Sequence, residues 1–121
     1  IPNDFVELFM TKVLSLIKKD GYFIISVPTT VIPLNKKHYR HYDEKLLSEH
    51  IEKFGDVELI KERRVYKMTP TLKLVMRLLN NRVWSINSKT LLNLFWKWHV
   101  KNNINATKEN GYHIVRIYKK L

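Results

Sequence analysis

At 121 residues and 14.6 kDa, with 45% apolar and 27% charged side chains, the chain has the size and balance of one small globular domain. The absence of cysteine excludes a disulfide scaffold, a cysteine nucleophile and thiolate-ligated metal or iron–sulfur centres, and no apolar run reaches the ~18–20 residues of a membrane span. Lys and Arg total 22 against 11 acidic residues, a net charge of +11, which favours phosphate backbones or anionic lipid where it is concentrated; here it is scattered along the chain, as a solvated coat would be.

Pro2-Asn3-Asp4 opens a predicted helix, with Asn3 or Asp4 as cap and Glu7 completing a capping box. Phe5, Leu8, Phe9, Val13, Leu16 and Ile17 recur on one face of it. Lys18 and Lys19 complement the dipole of its last turn, and Gly21 stops it. Tyr22 to Val27 is a nearly unbroken apolar run, which predicts a strand buried on both faces. Pro28 ends it, and Thr29 to His41, with Pro33, reads as a long functional loop. Asp43 caps the next helix, whose stripe is Leu46, Leu47, Ile51 and Phe54, with His50 beside it and Gly55 at its end. Val57 to Lys67 is a strand leaving the core. Thr69-Pro70 starts a helix carrying Leu72, Val75, Met76 and Leu79. After the Asn80-Asn81 break, a second helix runs from Ser88 to about Lys101. Asn102 to Gly111 is a polar loop. Tyr112 to Tyr118 is a closing strand, with His113, Val115 and Ile117 on one face and Ile114, Arg116 and Tyr118 on the other. The order is that of an α/β fold with about three strands. It forms one domain, residues 1–121, with a helical insertion at 69–110.

All three glycines, Gly21, Gly55 and Gly111, stand at element boundaries, so no phosphate-cradling loop is present. The densest polar cluster is Lys36 to Tyr42. His38 and His41 are candidates for general acid–base work, since imidazole titrates near neutrality. The bland alternative is that the cluster anchors the loop by hydrogen bonds and ring packing. A metal is not expected, because only Asp43 or His50 offers a nearby third ligand. Ser26, Ser48 and Ser88 lack a nucleophile-elbow context, and the carboxylates read as caps and helix surface. Trp84, Phe95, Trp96 and Trp98 read mainly as core. The 91–100 segment is apolar almost all round, which also suits covering a substrate pocket, pairing with another chain or lying on lipid. No signal-peptide pattern is present, which makes the cytoplasm the expected compartment, and Ile1 in place of Met is expected of a piece of something longer.

Ile1-Pro2-Asn3-Asp4, the helix ending in Lys18-Lys19-Asp20-Gly21 and the strand Tyr22 to Val27 with Pro28 resemble the later half of class I S-adenosylmethionine-dependent methyltransferases. Members of that family read His-Ile-Pro, a helix, Leu-Lys-Pro-Gly-Gly, a strand and Ser-Val-Pro. A His-x-Arg-x-Phe element then leads into the next helix, and His38, Arg40 and Tyr42 stand in that place. Tyr112 to Lys120 is similar to the family's closing strand, and residues 69–110 sit where a variable insertion is found. The resemblance implies a partial Rossmann-like methyltransferase sheet with the last strand antiparallel. It implies S-adenosylmethionine as cofactor and an acceptor site lined by Pro28, Thr29, His38 and Arg40, with His38 or His41 as base. The Gly-rich loop and ribose-holding acid of the family are not in this sequence, so the chain is expected to be inactive by itself. In the family the strand at Tyr22 lies between the fourth strand and the last. Alone, it is expected to seek a partner at its bare edge, either the missing N-terminal half or a second copy. Two other classes compete: a basic module for nucleic acid or anionic lipid, and a structural domain that kept the fold and lost the chemistry.

Overall fold

The structure is a computed structural model that describes residues 1–34 and 36–121; Asn35, in the predicted loop, lies outside the described residues. A single 3-10 turn, Asn3–Phe5, leads into α1, Val6–Ser15. No side chain caps this start, contrary to the predicted capping box. The buried stripe is Val6, Met10 and Leu14. The predicted face is corrected: Phe5, Leu8, Phe9 and Leu16 are exposed. The helix is apolar on two sides, and periodicity cannot choose between them. Contact chooses, because a Cβ on Gly55 would stand only 2.7 Å from Leu14 Cδ1, so the chain beyond the second helix closes directly on Leu14. After α1 the chain reverses at Asp20, whose φ of 62° takes the left-handed conformation expected of Gly21. Asp20 is held there by its N–H to the Lys120 carbonyl (3.0 Å) and its carboxylate to Lys119 Nζ (2.8 Å).

Three strands follow: β1, Tyr22–Pro28, β2, Val57–Lys67, and β3, Gly111–Lys120. They form one open sheet in the order β1-β3-β2, with β3 antiparallel to both neighbours. The fold is α/β, with the last strand in the middle of the sheet. The register sets Phe23 against Tyr118 and Ile25 against Arg116, while Ile24 meets Ile117 and Ser26 meets Val115. The first set packs on the core and the second lies on the opposite face. Here the structure corrects the reading of β1 as buried on both faces. It is an edge strand, and Tyr22 and Ile24 remain 64% and 65% exposed.

Between β1 and β2 lies α2, Glu44–Ile51. Asp43 caps it, accepting the Leu46 N–H at 2.8 Å, and Leu47 and Ile51 are fully buried. They meet Leu14, Ile114 and Tyr118 in the core. Buried Arg116 ties β3 to α2 and β2. Its Nε donates to Glu62 Oε2 (2.6 Å), Nη1 to Ser48 Oγ (2.8 Å) and the Tyr118 hydroxyl (2.9 Å), and Nη2 to the Glu44 carbonyl (3.1 Å). Burial opposes the charge, but the hydrogen bonds from Glu62 and Tyr118 outweigh it and raise the Arg116 pKa.

The predicted insertion holds α3, Pro70–Leu79, and α4, Lys89–Asn103. Thr69 and Ser88 cap them by accepting from Leu72 N and Leu91 N. The reading of the aromatic group as core is corrected: Trp84 and Trp96 are more than half exposed, and the residues that α4 buries are His99 and Asn103.

Candidate functional site

The chain between β1 and α2 is a loop with a closed neck. Tyr42 N–H donates to the Pro28 carbonyl (2.8 Å) and Thr30 N–H to the Tyr42 carbonyl (3.1 Å). Thr29, expected on the wall of an acceptor site, is fully buried instead. Its N–H donates to the Tyr112 carbonyl (2.8 Å) and its hydroxyl to the Gly111 carbonyl (2.5 Å), so it anchors the loop to β3. A small hydroxyl side chain suits this position because it satisfies a buried carbonyl at the start of the strand.

The loop brings His38 and His41 together. His38 Nδ1 lies 2.7 Å from His41 Nε2, and His41 Nδ1 lies 2.9 Å from the Ile32 carbonyl. A carbonyl only accepts, so His41 Nδ1 carries the proton. In the neutral ring Nε2 is then the acceptor, and His38 Nδ1 must donate to it. Neutral His38 is left with an unprotonated Nε2 as its free acceptor. It can take a proton there without breaking either bond. His38 is exposed and lines a cavity of about 390 Å³, whereas His41 is buried behind it. The two histidines therefore differ in role, one at the surface and one orienting it. Among the described residues no group of three His, Cys, Asp or Glu is placed to hold a metal ion.

The cavity lies at the carboxyl end of β1, where Ile25, Ser26, Val27 and Pro28 line it. Phe9 and Met10 of α1 close its far side. Pro28, His38 and Arg40 all line it. The guanidinium of Arg40 is already engaged, however. It donates to Asn3 Oδ1, to the Ile1 carbonyl (3.1 Å) and to the Tyr42 hydroxyl (3.2 Å). Arg40 thus fastens the start of the chain to the loop and shapes the cavity; few of its donors are left for a ligand.

One residue beside the site was not anticipated. His113 of β3 has its Nδ1 3.4 Å from Ser26 Oγ, and its ring stands edge-on to Tyr66, centroids 6.3 Å apart. Its alternation in β3 was legible, but the neighbour across the strand was not, because register is a long-range property. Burial lowers the His113 pKa, and the nearby His38 and His41 lower it further. Burial likewise lowers those of His50 and His99. All three therefore favour the neutral ring in the folded state. A folded pKa below the unfolded 6.5 gives stability that is complete above that value and lost as pH falls through the folded one. The thermal midpoint is expected to drop from pH 7 towards pH 5, and less steeply in His113→Gln; an equal slope in variant and parent would contradict the assignment.

A Cβ at Gly21, Gly55 or Gly111 would come within 2.7–2.9 Å of protein atoms, so each glycine serves the approach of the chain to itself and not that of a ligand. Among the described residues no helix is long and apolar enough to cross a membrane. No family model, curated protein or solved structure matches the chain.

Proposed function

We propose that this chain supplies the acceptor side of a class I S-adenosylmethionine-dependent methyltransferase. The observation that carries the reading is the sheet. Its closing strand lies antiparallel between two others, and its first strand is apolar on both faces with one edge bare. That is the arrangement implied by the resemblance at Ile1 to Lys67 and Tyr112 to Leu121. The cofactor is held by residues outside this chain, next to the bare edge of β1, and by itself the chain is inactive. That same edge is where the rest of the protein, or a second copy of the chain, would pair.

Pro28 and His38 line the acceptor cavity, and Arg40 and His41 position its loop. His38 Nε2 removes the acceptor's proton. The site lies where open α/β sheets bind ligands, at the carboxyl end of a strand. The alternative, a basic module for nucleic acid or anionic lipid, rests on the net charge and on the helical insertion with its exposed Trp84 and Trp96. Several of those cations are already matched: Arg64 and Lys108 with Glu44, Arg116 with Glu62, and Lys119 with Asp20.

The test is binding of radiolabelled S-adenosylmethionine to the natural full-length protein that contains these residues and to the 121-residue chain alone. Binding to the first and none to the second is expected. Absence of binding by the full-length protein would end the reading.

A further inference from the structure

A second cavity, of about 400 Å³, lies between α3, α4 and the end of the sheet. Its walls are rings and thioethers: Tyr66, Phe95, Trp96, Met68 and Met76, with His113 at the sheet. Among the described residues no lysine, arginine or carboxylate lines it. Phe95 stacks on His99 at 5.8 Å with planes 2° apart, and His99 stacks on Tyr66 at 5.3 Å and 16°, so the wall is a ladder of parallel rings. Tyr66 has a φ of 61°, a conformation that a bulky side chain rarely takes. The left-handed residue interrupts the alternation of β2 and leaves the Tyr66 ring against both His99 and His113. Exposed Trp96 stands at the same cavity.

We infer that this cavity binds a neutral aromatic molecule, with His113 as its polar contact. The volume falls in the range of small-molecule sites, which are mostly apolar with few polar groups. Rings and thioethers give stacking and soft packing without charge. An anionic ligand would be desolvated there against ring faces, with no cation in the lining to meet it. His113 joins this compartment to the histidine-lined cavity, because Ser26, 3.4 Å from its Nδ1, lines the latter. Resting on the methyltransferase reading, the bound ring is that of the methyl acceptor, and its reacting group extends past His113 towards His38.

Met10 lines the histidine-lined cavity, whereas Met68 and Met76 line both the aromatic cavity and the adjoining groove of Lys73 and Arg77, so a Met68 or Met76 response is assigned to the aromatic cavity by its loss in Trp96→Ala. The 121-residue chain, labelled at the methionine methyl carbons, is titrated with 2-naphthol and, in parallel, with 2-naphthoate. With 2-naphthol the Met68 and Met76 signals are expected to move while Met10 stays, and 2-naphthoate is expected to need roughly tenfold higher concentration. Trp96→Ala is expected to weaken 2-naphthol about 3- to 10-fold, and Trp84→Ala, which lies outside the cavity, to leave it unchanged. Signals that stay fixed, a response at Met10 alone, equal binding of the anion, or an unaltered Trp96→Ala would each overturn the inference. Failure of the full-length protein to bind S-adenosylmethionine is a separate result, which removes the methyl-transfer role and leaves the ring-binding measurement standing.

Discussion

Arg116→Ala is expected to lower stability by about 3 kcal/mol, the cost of breaking a buried, hydrogen-bonded charge pair from one side. The side chain is only 3% exposed in the middle of the central strand, where it holds Glu62 of β2 and Ser48 and the Glu44 carbonyl of α2 at once. The Tyr118 hydroxyl, which it also meets, in turn donates to Glu52 Oε1 at 3.2 Å. Truncation takes from the Glu62 carboxylate its nearest cation and removes the polar tie between β3 and α2. At about 4 °C per kcal/mol, the thermal midpoint falls by roughly 12 °C. A surface pair provides the contrast. Lys45 and Glu49 are 4.0 Å apart and largely solvated, so Lys45→Ala is expected to stay within about 0.5 kcal/mol of the parent. Urea unfolding of both variants decides the matter; equal midpoints for the two would refute the role given to Arg116.

Legibility of the fold followed how local each cause was. The Asp43 cap, the Leu47 and Ile51 stripe and the alternation of Ile114, Arg116 and Tyr118 were readable because each is settled within a few residues. Burial in α1 and β1 was not. Both are apolar on more sides than the rest of the chain covers, and a sequence pattern shows apolarity without showing what meets it. The long loop disclosed its histidines, but the order of their hydrogen bonds depends on the Ile32 carbonyl, nine residues from His41. Arg40 was legible as a site residue, while its use as a fastener for Asn3 was not, since that contact spans 37 residues. The Tyr66 ring and His113 come from different strands and meet only through the register. The aromatic cavity was accordingly visible in the sequence only as an excess of apolar residues in α4.

On the proposed methyltransferase reading, His38→Gln is expected to reduce methyl transfer by the complete enzyme about 10²- to 10⁴-fold, the usual contribution of a positioned general base. Glutamine keeps the size and one polar contact but cannot accept a proton. His41→Asn is expected to act less severely, since it removes the partner that fixes the His38 ring and leaves the base in place. A readout that a merely structural role would not move is rescue: added imidazole is expected to restore part of the rate to His38→Gly and none to His41→Asn. The hydrogen-bond order itself is open to nitrogen-detected NMR of the 121-residue chain, independently of any activity. Both rings are expected to carry their proton on Nδ1, His41 because it faces the Ile32 carbonyl and His38 because it faces His41 Nε2. A proton found on His38 Nε2 in the neutral pair would remove the free acceptor from the cavity wall. The loop would then be an anchor and not the seat of a base, with the Thr29 and Tyr42 neck as its purpose.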